Sequence, residues 1–120
     1  EPEVDINCPT KLEAENMLLE NLHEELSKLN FNDHIMLKLT LPEKANFYQE
    51  MSKQDNILRV VALSGGYSQE LANKKLHDNN GVIASFSRAL TEGLSVSMTN
   101  EIFSKRLGLA IDKIYTASIT

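Results

Sequence analysis

The sequence has little of what builds metal centres, disulfide frameworks or rigid linkers. It contains one cysteine, Cys8, three prolines and no tryptophan. A single cysteine rules out an internal disulfide framework and suits a reducing compartment, so we expect a cytoplasmic protein. The three histidines, His23, His34 and His77, do not have the spacing of metal ligands. We therefore expect no metal site.

Other classes of protein are disfavoured by what the composition lacks. No apolar run is long enough to span a bilayer, and no secretory leader, low-complexity tract or Pro/Ser-rich linker interrupts the chain. The net charge of −5 argues against a surface that binds duplex nucleic acid, although it leaves room for a local basic pocket. We expect residues 1–120 to form one structural unit, with neither a membrane nor a nucleic acid as partner.

The apolar residues that are present alternate between two periodicities. Strands are predicted at residues 35–41, 58–63 and 82–86, and residues 1–6 are predicted to be the end of an earlier strand. Helices are predicted at residues 11–29, 43–54, 68–77 and 98–117, the first with a capping box formed by Thr10 and Glu13. Nearly apolar strands that alternate with helices are typical of a parallel sheet with helical crossovers.

Lys38 lies inside the first complete predicted strand, between apolar neighbours. A strand of this kind is expected to be buried on both faces, so its ammonium must be paired, lie at the strand end, or be partly neutral. A lysine whose pKa is lowered by burial is a nucleophile toward carbonyl carbons and forms Schiff bases. The alternative is a structural lysine that is solvated or salt-bridged at the mouth of the strand.

Phosphate-binding chemistry follows each of the next two strands. Ser64-Gly65-Gly66 comes after one strand, and Ser87-Arg88 comes after the other. A glycine turn exposes backbone N–H groups and points a helix N-terminus at a ligand, and an arginine fork matches phosphate oxygens. Because the carboxyl ends of parallel strands share one edge of the sheet, we expect these groups to converge. Each motif taken alone also has a structural interpretation: Ser64-Gly65-Gly66 as a tight turn, and Arg88 as a surface arginine.

Four motifs in this order resemble the class I fructose-bisphosphate aldolases, and their bacterial members most closely. The motifs are Glu-Pro-Glu-Val from residue 1, Met-Leu-Lys-Leu-Thr from residue 36, Leu-Ser-Gly-Gly-Tyr-Ser from residue 63, and Ser-Phe-Ser-Arg-Ala-Leu from residue 85. The resemblance runs over the whole chain. It implies the carboxyl-terminal half, strands five to eight, of a (β/α)8 TIM barrel, a fold that typically needs about 250 residues.

The resemblance also implies a reaction and a set of roles. The family, a group of lyases of glycolysis and gluconeogenesis, cleaves fructose 1,6-bisphosphate reversibly into dihydroxyacetone phosphate and glyceraldehyde 3-phosphate through a lysine Schiff base, with no metal or other cofactor. Lys38 matches the Schiff-base lysine. Glu1 matches the glutamate that transfers protons, and Glu3 matches a second, supporting carboxylate.

Four further residues match the site for the phosphate at the ketose end of the substrate: Ser64, Gly65, Ser87 and Arg88. Ser87 replaces a glycine of the animal members, whose N–H it can still supply. The expected partners are the phosphorylated sugar and the amino-terminal half of the same barrel, and a homo-oligomer is left open. Without that half, which carries other catalytic residues of the family, the chain is expected to be inactive.

Two other functions stay open on the residues alone. One is a Schiff-base aldolase that acts on a different phosphorylated ketose, because part of the substrate specificity lies in loops outside this chain. The other is a phosphate-binding half-barrel with no chemistry of its own.

Overall fold

The computed structural model describes all 120 residues and contains one small parallel sheet. The three strands, in the spatial order β1-β2-β3, are parallel. In chain order the elements are α1 (Lys11–Leu26), β1 (Ile35–Thr40), a 3₁₀ helix (Met51–Lys53), β2 (Ile57–Leu63), α2 (Gln69–His77), β3 (Val82–Ala84), α3 (Arg88–Thr91) and α4 (Asn100–Ser118). This α/β arrangement of parallel strands agrees with the predicted fold class and with part of a barrel, although an α-helix connects only β2 to β3.

One face of the sheet carries the core, and the other, the open face, is covered only in part, since Thr40 and Leu63 are buried there. Leu37 and Leu39 of β1 pair in register with Val60 and Ala62 of β2, and all four are buried. Helix α2 packs on this same face through its buried apolar positions. On the opposite face Met36 remains 57% exposed. The expectation that β1 is buried on both faces is therefore wrong for this chain, because the helices cover only one side of the sheet.

Residues 1–6 form no strand, which corrects the prediction of a fourth one. The segment lies beside β1 without entering the sheet. Its one hydrogen bond to β1 runs from the backbone N–H of Val4 to Oγ1 of Thr40, at 3.0 Å. A side-chain acceptor takes the place of a backbone ladder here, and Pro2 has no N–H to contribute to one.

The predicted helix at residues 43–54 is also wrong. The segment is a series of turns that ends in the 3₁₀ helix. Asn46 has a positive φ of 59°, which an α-helix does not allow. Its backbone N–H donates to Oδ1 of Asn79, and its own Oδ1 accepts from the N–H of Asn80. Asn46 thus pairs its backbone N–H and its side-chain oxygen with residues far along the chain, and not within a helix of its own segment.

Two finer expectations fail at the helices. Thr10 is the N-cap residue of α1, but its side chain makes no capping hydrogen bond, so the predicted capping box is absent. In α4, Ala110 and Ala117 are buried, whereas Phe103 and Ile111, which the periodicity predicts to be buried, are exposed. Helix α4 therefore turns its small residues toward the sheet and leaves larger apolar residues at the surface.

Candidate functional site

Lys38 lies on the open face of the sheet, near the carboxyl end of β1. Its Nζ is 2.6 Å from Oε1 of Glu1, and the two side chains are 36% and 47% exposed. The sequence suggested three environments for this ammonium, and the structure shows the paired one. Glu1 reaches Lys38 from a segment that is separated from it by a helix and a turn, so the pair is a tertiary contact.

Glu3 occupies an exposed position two residues further along the same segment. It forms no ion pair with Lys38. The structure therefore brings one of the two predicted carboxylates against the lysine and leaves the other nearby in the sequence but solvated.

The Ser64-Gly65-Gly66 loop follows β2 and turns tightly. The backbone N–H of Tyr67 donates to the Ser64 carbonyl at 2.9 Å. Gly65 and Gly66 have φ values of 62° and 105°, a region that favours glycine. Neither glycine N–H donates to a protein acceptor. The loop thus presents two unpaired amide donors at the carboxyl end of the strand next to Lys38.

Arg88 begins α3 and lies over this loop. A β-carbon built on Gly66 would be 3.7 Å from Nη1 of Arg88. The Arg88 side chain is exposed and takes part in none of the ion pairs of the structure. Ser87 is exposed at the N-cap, and its N–H donates to no protein acceptor. Unpaired amides and an unpaired guanidinium at one position make a site suited to an anion.

The N-terminus of α2 does not contribute to this site, contrary to the sequence interpretation. The N–H of Gln69 donates to the carboxylate of Glu92, and the N–H of Leu71 donates to Oγ of Ser68. These acceptors pair two N–H groups of the first turn, and Glu92 places a negative charge beside it. The glycine loop, the Ser87 N–H and Arg88 remain as anion-binding groups.

A buried ionic cluster supports the loop that follows β1. Lys11 and Glu15 form an ion pair that is 5% and 0% exposed. Nζ of Lys11 also donates to the Leu41 carbonyl at 2.9 Å, and the N–H of Glu43 donates to both oxygens of Glu15, at 3.0 and 3.2 Å. Each buried charge is therefore met by a partner and by backbone groups, as buried charges require.

Two tyrosines next to this cluster are held in their neutral form. Burial raises the pKa of Tyr48 well above its ordinary value, and the charge of Glu15 raises it further. The pKa of Tyr67 is raised as well, first by burial and then by Glu43 and Glu15. Nζ of Lys75 lies 5.3 Å from the centre of the Tyr67 ring and 3.7 Å from Glu43. Lys75 thereby connects the glycine loop to the loop after β1.

Comparison with known proteins gives one consistent result. No family model matches the chain. The chain is 54% identical over 120 residues to a protein of Synechocystis sp. named class 1 fructose-bisphosphate aldolase. It is 50% identical over 120 residues to a protein of the same name from Clostridium acetobutylicum, and 53% identical over 119 residues to one from Porphyromonas gingivalis. The matches cover 99–100% of this chain but only 40–41% of each relative.

Over its full length the chain is therefore similar to proteins named class 1 fructose-bisphosphate aldolase. It spans about 40% of the length of the curated relatives that it matches. The resemblance inferred from the four sequence motifs is thus confirmed at the level of the family, over the full chain.

Sequence reasoning missed several residues around the candidate site. Thr40 bonds to the segment that carries Glu1, and Glu92 bonds to the helix start after the glycine loop. Lys11 and Glu15 bond to the loop that follows the strand of Lys38. For Lys11 and Glu15, the spacing of four residues on a helix was a signal for an ion pair, but their burial was not visible in the sequence. Thr40 follows Lys38 by two residues, and so lies on the same face of β1. That spacing was the available signal for Thr40.

No helix of this chain is both long and apolar enough to cross a membrane. No group of three or more His, Cys, Asp or Glu side chains comes together in a way that would hold a metal ion.

Proposed function

We propose that the longer protein containing this chain cleaves fructose 1,6-bisphosphate reversibly into dihydroxyacetone phosphate and glyceraldehyde 3-phosphate. The proposal is carried by one observation: the Lys38–Glu1 pair, 2.6 Å apart, lies at the same edge of the sheet as an unpaired arginine and unpaired glycine amides. A nucleophile, a proton carrier and an anion site are what a Schiff-base aldolase of a phosphorylated ketose requires.

In the first stage, Lys38 becomes a nucleophile. Its ammonium gives a proton to the Glu1 carboxylate, and the free amine attacks the C2 carbonyl carbon of the ketose. The resulting carbinolamine loses its hydroxyl as water when Glu1 returns a proton to that oxygen. The product is a protonated Schiff base between Nζ of Lys38 and C2. The pair serves this stage because one oxygen of Glu1 is within direct proton-transfer distance of the amine.

In the second stage, the C3–C4 bond breaks. A carboxylate, for which Glu1 is our candidate, removes the proton of the C4 hydroxyl, and C4 leaves as the aldehyde carbon of glyceraldehyde 3-phosphate. The electron pair of the broken bond moves toward the iminium and forms an enamine. Protonation at C3 and addition of water then release dihydroxyacetone phosphate and the free amine. The Glu3 charge favours the positive intermediates from a solvated position.

Substrate anchoring is assigned to the loop ends of β2 and β3. The hydroxyl of Ser64, the N–H groups of Gly65 and Ser87, and the Arg88 guanidinium bind the phosphate at the ketose end. Their binding energy holds C2 against Nζ of Lys38, so that the reaction becomes effectively intramolecular.

Residues 1–120 are proposed to be the carboxyl-terminal half, strands five to eight, of a single (β/α)8 domain. The open face of the sheet, where Met36 is exposed and Lys38 is half-buried, supports this proposal, because the interior of a complete barrel is filled by side chains from all of its strands. The amino-terminal half of the domain would supply the missing layer. A cytoplasmic location and a mechanism without a cofactor complete the proposal.

Trapping of the Schiff base tests this function in the full-length protein. Fructose 1,6-bisphosphate with borohydride should attach the sugar to Lys38 and stop turnover, and Lys38→Arg should abolish both, because a guanidinium stays protonated and forms no imine. Lys44→Arg and Lys53→Arg are the matched controls and should trap normally. An adduct on another lysine would reject the assignment, and preferential cleavage of a different phosphorylated ketose would reject the substrate.

A further inference from the structure

We propose that Thr40 is a positioning residue of this site, whose hydroxyl holds Glu1 against Lys38 and whose methyl group holds the Gly65 loop. The inference rests on the proposed function for its kinetic consequences, and on the structure alone for its geometry. None of the roles assigned above includes Thr40.

The hydroxyl of Thr40 anchors the segment that carries Glu1. Thr40 is the last residue of β1, and it is only 3% exposed. Its Oγ1 accepts the N–H of Val4 at 3.0 Å. This bond is the one hydrogen bond between residues 1–10 and β1. Because residues 1–6 form no strand, no backbone ladder fixes Glu1, and the contacts of the segment with this part of the site are this hydrogen bond, the packing of Ile6 and the Glu1–Lys38 ion pair itself.

An exposed ion pair is a weak means of holding a segment in place. Both partners of the Lys38–Glu1 pair are more than one-third exposed, and pairs of that kind contribute little stability. Thr40 is buried on the same strand, two residues after Lys38. Its hydroxyl therefore connects the segment that carries Glu1 directly to the strand that carries the lysine. We conclude that the separation of Glu1 from Lys38 is set largely by this hydrogen bond.

The methyl group of Thr40 contacts the other part of the site. A β-carbon built on Gly65 would lie 3.3 Å from Cγ2 of Thr40 and 2.7 Å from Cγ2 of Ile6, so the glycine packs closely against both side chains. Ile6 belongs to the segment that carries Glu1. One threonine therefore lies between the proton carrier and the candidate phosphate loop, with its polar and apolar groups facing different partners.

Two substitutions separate the roles of the hydroxyl and the methyl group in the full-length protein. Thr40→Val keeps the shape and the strand preference but removes the acceptor, and Thr40→Ser keeps the acceptor but removes the methyl group. We expect Thr40→Val to lower kcat for fructose 1,6-bisphosphate by about 10- to 100-fold, the range for a misplaced catalytic group, with little change in KM. We expect Thr40→Ser to keep kcat and to raise KM by about four-fold, the loss that corresponds to one buried methyl group.

Two measurements without substrate accompany the kinetics. Hydrogen exchange at the Val4 amide should become faster in Thr40→Val and stay slow in Thr40→Ser, and crystal structures should show the Glu1–Lys38 distance lengthened beyond 2.6 Å only in Thr40→Val. Slow exchange and an unchanged distance in Thr40→Val would overturn the inference, as would equal losses of kcat in both variants. If the wild-type protein leaves fructose 1,6-bisphosphate uncleaved, the proposed function fails, and the exchange rate and the distance still decide the role of Thr40.

Discussion

Gly65→Ala should destabilise the protein through two separate effects at one position. Gly65 has a φ of 62°, and an L-residue with a β-carbon adopts that region at a cost of about 1–2 kcal/mol. The new β-carbon would lie 2.7 Å from Cγ2 of Ile6, a distance at which a side chain must move. Overpacking of this kind typically costs about 1–3 kcal/mol. We therefore expect the free energy of unfolding to fall by about 2–5 kcal/mol.

Equilibrium unfolding in urea measures this loss, and the chain offers two matched controls. Gly93 has a φ of 76° with nothing within 4 Å of a built β-carbon, so Gly93→Ala should cost only the backbone effect of about 1–2 kcal/mol. Gly108 lies inside α4 with open space around it, so Gly108→Ala should stabilise by about 0.5–1 kcal/mol. The difference in unfolding free energy between Gly65→Ala and Gly93→Ala isolates the contact with Ile6.

The reasoning fails if Gly65→Ala and Gly93→Ala destabilise equally. That result would mean that the segment 1–6 moves away at no cost, and that Ile6 does not pack firmly on the glycine loop. It would also weaken the case that the loop and the Glu1 segment form one site.

Three further predictions concern charge, metal and the buried cluster. Arg88→Ala should remove a charge-assisted contact of about 1.5–3 kcal/mol, and so lower kcat/KM for the bisphosphate by about one to two powers of ten. Turnover of a dephosphorylated ketose should hardly change. An equal loss for both substrates would mean that the arginine is structural. Dialysis against EDTA should leave cleavage activity unchanged, and activity lost in EDTA and restored by zinc would reject the Schiff-base mechanism. Glu15→Ala should leave the Lys11 charge buried without its carboxylate, and urea unfolding should show a loss of stability of about 3–5 kcal/mol. Glu25→Ala is the control: it breaks an exposed pair with Lys28 and should change stability little.

Periodicity in the sequence predicted most of the elements because it reports local preferences. Strands β1 and β2, helix α2 and helix α4 were found within two residues of their predicted bounds. The prediction failed where partners from far along the chain replaced local bonds. Asn46 pairs with the turn after α2, so the segment 43–54 is not a helix. The segment 1–6 bonds to a threonine side chain, so it is not a strand.

The sequence by itself determined which groups could take part in the chemistry. The four motifs identified the family and singled out Lys38, the glycine loop and Arg88, because a nucleophile and anion-binding groups are recognisable by residue type and by their place after predicted strands. Only the tertiary structure decided how they are arranged. Whether the Lys38 side chain is solvated or paired depends on Glu1, and whether the first turn of α2 is free to bind an anion depends on Glu92. Contacts of this kind are settled by packing between distant segments, which neither periodicity nor composition encodes.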